Sequence, residues 1–400
     1  MFKQKIIRLS PLIVLIVMVI FSLTFIPSIH PTPKNLPIAI VNEDSGVELP
    51  NQTKLNLGEK ILNTVKTTSS AQSNEEPAIK WVEVNNEKLA RSGMDNQEYY
   101  ASLIIPSDFS QKQLTLQTKE PTLPSITIFV NQGMNYTVSN IATQMLNGVV
   151  ANLNNNVRDE ALKNYEQAGL TLTPEQASIL INPVKTELIN VNKVGTHSAN
   201  GNAPISLFQP VWMASLIGSV LVFLGVKKMT FLNRKEKLFA KLMQVLIGIV
   251  LSLIVGFGLT WFADGVLGLD VPKKIDTAWF ISITYLSFYF MITALMSWIG
   301  FIAVPISAIT LFFGAPLLAM APELMPSFYK DWINPWLPMR FMVDGLRELF
   351  FFDKGLNWNH SVAVLTGIGL VSLAIIFISV LKPESKNKDK NVVATEVETV

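Results

Sequence analysis

From Thr277 to Ala321 the chain carries no charged residue, and Pro11–Ile29, Ser206–Val226, Leu242–Ala263 and Ser361–Leu381 are equally apolar. A bilayer core about 30 Å thick is crossed by about 20 apolar residues of helix. The long stretch therefore reads as two spans, and the chain as having six. A Lys, Arg or Asp at mid-span would cost about 2.5–3.5 kcal/mol on insertion scales, and these segments avoid it. The expected fold is an α-helical membrane protein, which sets aside most readings as a soluble enzyme.

The formal net charge of +2 conceals a segregation along the chain. Lys3, Lys5 and Arg8 precede the first span. Lys227, Lys228, Arg234, Lys235, Lys237 and Lys241 lie between the second and third, and Lys382, Lys386, Lys388 and Lys390 follow the sixth. Six crossings bring all three clusters to one side, which the positive-inside rule makes cytoplasmic. Both termini are then cytoplasmic, and residues 30–205 with the loops 264–277 and 322–360 lie outside the cell membrane. The first span reads as a retained anchor, because its apolar run fills a whole span and Pro27-Ser28-Ile29-His30-Pro31 offers no small-residue cleavage site. A cleaved signal peptide is the alternative. The expected organisation is an anchor at 1–29, an extracellular α/β domain at 30–205, a five-helix membrane domain at 206–381 and a cytoplasmic tail at 382–400.

The external segment is rich in Asn, Thr, Gln and Ser and contains no cysteine, so its own core has to hold it. Four runs read as strands: Pro37–Asn42, Lys80–Val84, Tyr100–Ile105 and Ser125–Asn131. Helical stretches around Leu55–Val65 and Glu87–Met94 separate them, and the alternation predicts a compact α/β layer with a partly parallel sheet. Val138, Ile141, Met145, Val149, Leu153, Val157 and Leu162 recur at helical spacing over Thr137–Tyr165. That helix is about 40 Å long, enough for a stalk rising from the membrane. Pro174–Val191 is a second helical stretch broken at Pro183, and Asn192–Pro204 is a linker. The Asn85-Asn86 and Asn154–Asn156 runs read as solvated surface.

Two segments outside the spans have mechanical interest. Asn233–Lys241 is short, basic and helical in pattern; it serves either to set topology or as a lever for a cytoplasmic partner, with Arg234, Lys235, Glu236 and Lys237 as its coupling residues. In Pro335–Phe352, Met339, Met342, Val343, Leu346, Leu349 and Phe350 share one face, and Arg340, Asp344 and Arg347 another. This is an interfacial anchor or a re-entrant element closing an exit path. No ionisable group sits mid-span, which disfavours an ion-coupled carrier. The chain has no G-x-x-x-x-G-K-[S/T] loop and no G-x-S-x-G elbow, and its three histidines are far apart in sequence. It reads as non-enzymatic, with no catalytic, cofactor or metal site and no call for a nucleic-acid partner.

One amino-terminal span, a large external domain and five closing spans resemble the ABC-2 type membrane proteins, and more closely the phage infection protein (Pip/YhgE) group within them. The residues that carry the resemblance are Leu36–Gly46 (LPIAIVNEDSG), Leu55–Lys60 (LNLGEK), Tyr99–Ser110 (YYASLIIPSDFS), Pro124–Asn135 (PSITIFVNQGMN) and Leu337–Arg347 (LPMRFMVDGLR). The resemblance implies a permease that dimerises with itself or a related chain and is driven by a separate cytoplasmic P-loop ATPase, which would supply the ATP site. It implies export of a hydrophobic or amphipathic compound, lipid or peptide. It makes Asn233–Lys241 a coupling helix and Pro335–Phe352 an element near the exit. The alternative is a non-transporting envelope receptor or scaffold for a phage or secretion-machine component.

Overall fold

The computed structural model describes residues 32–48, 53–70, 76–116, 118, 120–167, 169 and 171–382, with seven further helical positions between 12 and 26. Most of the expected first span and nearly all of the cytoplasmic tail lie outside the described residues. The chain divides into two compact units. One holds the segment up to Ser206 together with 267–273 and 313–355; the other holds 207–266, 274–312 and the segment from Leu356 onward.

The first unit is built on strands β1 (Leu36–Asn42), β4 (Ile79–Glu83), β5 (Ala101–Ile105), β6 (Ser125–Asn131) and β7 (Lys185–Val191), with β2 (Val47–Glu48) and β3 (Lys54–Leu55) as a separate pair. The five-stranded order is β4-β1-β5-β6-β7. β1 runs parallel to β4 and β5, β5 is antiparallel to β6, and β6 is parallel to β7. The central strands are Ile- and Val-rich because both faces are covered. Leu36, Ile38 and Ile40 point to one layer, formed by helices α1 (Leu57–Ser70) and α4 (Tyr136–Gln167). Ala39 and Val41 point to the other, where α2 (Glu87–Asp95) contributes Ala90 and Met94. A short α3 (Phe109–Thr115) follows β5. α4 buries Val138, Ala142, Leu146, Val150 and Val157 at three- and four-residue spacing, so it packs along the sheet.

Three of the motifs meet at one carboxylate. Asp44 is buried, and its side chain accepts hydrogen bonds from Gly58 N at 3.0 Å, Ser110 N at 3.0 Å, Gly46 N at 3.3 Å and the Ser110 hydroxyl. Ser110 Oγ in turn accepts from Leu57 N at 2.8 Å. One acidic group thereby satisfies amides at the starts of both α1 and α3, where orphan donors and the helix dipole favour negative charge.

The expectation for Pro174–Val191 needs correcting. α5 (Pro174–Ile181), opened by a capping box between Thr173 and Gln176, ends before Pro183, and β7 follows instead of more helix. Proline cannot continue a helix, and the residues after it pair along the whole of β6. Asn154 fixes this switch: its amide accepts from Val184 N at 2.7 Å and donates to Val184 O at 3.3 Å. That residue is buried, so it departs from the reading of Asn154–Asn156 as solvated surface.

The second unit draws on α6 (Ala203–Lys227), α7 (Arg234–Gly265), α8 (Lys274–Ile299), α9 (Ala303–Ala319) and α11 (His360–Ile378). Among the described residues, four helical runs are long and apolar enough to cross a membrane: 203–227, 234–265, 274–319 and 360–381. The third is interrupted by a 3-10 turn at Gly300–Ile302, where Gly300 has φ +66°. Contacts to α6 show that the run folds back there. Ser215 and Ser219 donate to the carbonyls of Tyr285 and Tyr289 at 3.4 and 3.2 Å, whereas Trp212 Nε1 reaches Ser307 O at 3.2 Å and Leu216 clusters with Ala303. α6 is thus parallel to α8 and antiparallel to α9.

α7 presents Ala240, Gln244, Gly248, Ser252, Gly256 and Thr260 at every fourth position, all buried. Small residues let helix backbones approach closely where lipid gives no hydrophobic drive for association. A methyl at Gly248 would enter the Tyr289 ring, and one at Gly256 would meet the backbone of Ala278 and Ser282.

Two outcomes follow for the purified full chain in detergent. Asp44→Ala leaves buried amides unsatisfied and lowers stability by about 2–4 kcal/mol in a thermal or denaturant melt. Gly256→Leu overpacks α7 against α8 backbone and costs about 1–3 kcal/mol by the same measurement, whereas Gly258→Leu, with open space at its Cβ, is close to neutral.

Candidate functional site: the clasp and the opening of α7

The α/β core of the first unit is completed by residues far away in sequence. Ala321 and Leu324 are buried in the same cluster as Leu36, Tyr100 and Val138, with Met320 packed against it. Tyr100 is fully buried and its hydroxyl donates to Glu323 Oε2 at 2.9 Å, while Lys34 N donates to Glu323 O at 2.9 Å. Burial, and then the adjacent Glu323 carboxylate and the hydrogen bond to it, push the Tyr100 phenol well above its usual range. Tyr100 therefore remains a donor wherever the protein is handled. Its contribution is full below about pH 10 and is lost as pH rises further, because the unfolded tyrosine then ionises and the folded one does not.

The motif PSITIFVNQGMN supplies the rest of this clasp. Asn135 Oδ1 accepts from Val138 N at 3.2 Å, capping α4, and its Nδ2 reaches Ala319 O at 3.4 Å. Asn131, also buried, donates to Met94 O at 2.8 Å and Tyr99 O at 3.1 Å. Gly133 lies against α10 (Pro338–Phe351): a Cβ there would stand 2.6 Å from Phe351 Cβ and 3.0 Å from Asn192 O. No other residue fits without moving α10.

α10 itself matches the amphipathic segment expected at Pro335–Phe352. Met339, Met342, Val343, Leu346, Leu349 and Phe350 are all buried. Met339 sulfur occupies the space where Gly314 lacks a side chain. The three expected polar residues come together: Asp344 pairs with Arg347 at 3.3 Å and with Arg340 at 3.6 Å. Arg347 is the more deeply buried arginine, and the charges of Arg347 and Asp344 both act on Tyr100. Arg340 also lays its guanidinium over the Phe341 ring at 5.1 Å. Other connections join the same unit: Asp270 N donates to His197 O at 2.9 Å, and Lys273 pairs with Asp353 at 3.0 Å.

In the second unit, Asn233 is the N-cap of α7 and accepts from Glu236 N at 2.9 Å. Glu236 returns the contact, taking Leu232 N at 2.8 Å and Asn233 Nδ2 at 3.2 Å. Arg234 and Lys235 are exposed beside it. The basic turn is therefore the first turn of α7, continuous with its apolar length, and Glu236 locks that turn instead of facing outward. At the same end Lys241 donates to Ser297 Oγ at 2.8 Å and Lys382 to Trp298 O at 2.6 Å.

The sequence model of the ABC-2 family transporter proteins matches residues 6–378. The chain belongs to that family. A curated relative, the uncharacterized protein YhgE of Bacillus subtilis (strain 168), is 26% identical over 159 residues, which is 39% of this chain and 19% of that protein. The chain thus aligns with about a fifth of that relative's length. No solved structure matches. The clasp shows what several of the motif residues do in this ABC-2 protein.

Tyr100, Gly133 and Glu323 were not singled out from sequence. Two of them lie within quoted motifs, but nothing in local pattern pairs Tyr100 with a glutamate 223 residues away. Tyr100→Phe is expected to lower the stability of the full chain by about 1–3 kcal/mol, because Glu323 then loses its donor. Urea melts at pH 7 check this, and the deficit of the variant should shrink above pH 10.

Proposed function

We propose that the chain is the permease half of an ABC-2 exporter in the cell membrane, working as a homo- or heterodimer and driven by a separate cytoplasmic P-loop ATPase. Its cargo is a hydrophobic or amphipathic compound, a lipid or a peptide, moved outward. Family membership over residues 6–378 carries this reading, together with the absence of a phosphate-binding loop from the sequence.

Six spans with both termini inside suit the geometry. A helix of 46 residues would be about 70 Å long, more than twice the hydrocarbon core, and the fold-back at Gly300 makes two crossings of it. The segments assigned outside by charge, 30–205, 264–277 and 322–360, supply nearly all of the first unit that is not apolar helix. Of the basic residues assigned inside, Lys241 and Lys382 lie at one end of the second unit, where they donate to Ser297 and Trp298.

In this reading Arg234, Lys235 and Lys237 face the ATPase and Glu236 keeps the turn rigid. A push on that turn travels down α7 without a hinge, because helix and lever are one element. At the exit, α10 with Arg340, Asp344 and Arg347 moves as part of the α/β unit. The ATP requirement belongs to the partner.

Purification from the native host in mild detergent, followed by mass spectrometry, tests the proposal. A stoichiometric P-loop ATPase is expected, and the triple reversal R234E/K235E/K237E should reduce its recovery at least tenfold while the thermal melt of the chain stays unchanged. Recovery without an ATPase, under conditions that preserve other transporter complexes, would favour the receptor or scaffold reading. Undiminished recovery with the triple reversal would sink the lever.

A further inference from the structure

The α/β unit contains a cavity of about 550 Å³ between α1, β4 and α4. Ile61, Val65, Trp81 and Leu153 provide an apolar wall, on which Val65, Trp81 and Leu153 are only partly covered by protein. Asn155 and Asn156 stand at its rim, beside the ion pair of Lys60 and Glu160 at 3.6 Å. The volume falls within the range of about 300–1,000 Å³ typical of small-molecule sites.

Gln113 distinguishes this space from a packing defect. Gln113 is one of the lining residues, and its side-chain carbonyl oxygen is shielded from solvent and accepts no hydrogen bond among the described residues. A buried acceptor left without a donor is destabilising, so a ligand that supplies the donor gains by it. The two charges on the lining, Lys60 and Glu160, are opposite and paired, leaving no net field for an ion.

We propose that this cavity binds a small, neutral, amphipathic molecule, with an aromatic or aliphatic body against Trp81 and Leu153 and a hydroxyl or amide N–H donating to Gln113 Oε1. The amides of Asn155 and Asn156 meet its polar end at the rim. The proposal stands apart from the exporter reading: a receptor would have the same site.

The chain contains no cysteine, so one thiol can report on the cavity. Val149→Cys puts it in the wall, and Leu188→Cys puts it on β7, outside the lining. Each full-length variant, in lipid nanodiscs, is labelled with N-ethylmaleimide alone and with either 2-naphthol or 2-methoxynaphthalene. The two probes share a ring system, and only the first has a donor. Labelling at position 149 should slow at least fivefold with 2-naphthol, which should act at about one-tenth the concentration of its methyl ether. A Gln113→Leu background should make the two probes equivalent while the thermal melt shows an intact fold. Position 188 should be unaffected throughout. Unprotected labelling at 149 up to the solubility of 2-naphthol, equal action of the two probes on the parent, or protection at 188 as well as 149, would each overturn the proposal.

Discussion

A tyrosine hydroxyl buried away from solvent has to find an acceptor, and in this protein Tyr100 finds one 223 residues away. The bond from Tyr100 to Glu323 marks where the α/β core leaves off being self-sufficient. Ala321 and Leu324 fill out that core, Lys34 holds the Glu323 carbonyl, and Gly133 gives up a side chain so that Phe351 can approach. By its packing, the segment 313–355 is part of the α/β unit. Loss of Ala321 and Leu324 would open the sheet's own core, and loss of the sheet would take from α10 its close contact at Gly133.

The membrane helices solve a different problem with other chemistry. Lipid offers no hydrophobic reward for helix association, so α7 uses a four-residue stripe of small side chains and neighbouring helices use hydroxyl-to-carbonyl bonds. The fold-back at Gly300 divides an apolar run too long for one crossing. No ionisable side chain is needed at depth for any of this. That fits an ABC-2 permease, whose free energy is proposed to come from a partner acting on the basic opening of α7.

Much of this was legible in the sequence wherever the cause is local. Apolar runs mark the membrane helices because the bilayer imposes a length and excludes charge. β1, β4, β5, β6 and α4 follow from periodicity, and the pairing of Asp344 with both arginines follows from helical spacing. β7 was missed because its run alone is ambiguous between helix and strand; the open edge of β6 and the Asn154 side chain decide it. Asn154 looked like surface because its neighbours Asn155 and Asn156 are. The Asp44 junction sat in plain view as three motifs, NEDSG, LNLGEK and PSDFS. That they share a carboxylate depends on where the chain returns, which no local pattern reports. The same holds for Tyr100 and Glu323.

Amide hydrogen exchange of the full chain, with and without Gly133→Leu, tests most directly whether α10 belongs to the α/β unit. If it does, a substitution made wholly within the α/β sequence should raise exchange across residues 338–351 by at least tenfold, while residues 242–263 of α7 keep their parent rates. Unchanged protection of 338–351, in a variant whose own loop around residue 133 has become more exchangeable, would show that α10 is held without the clasp and would contradict the account.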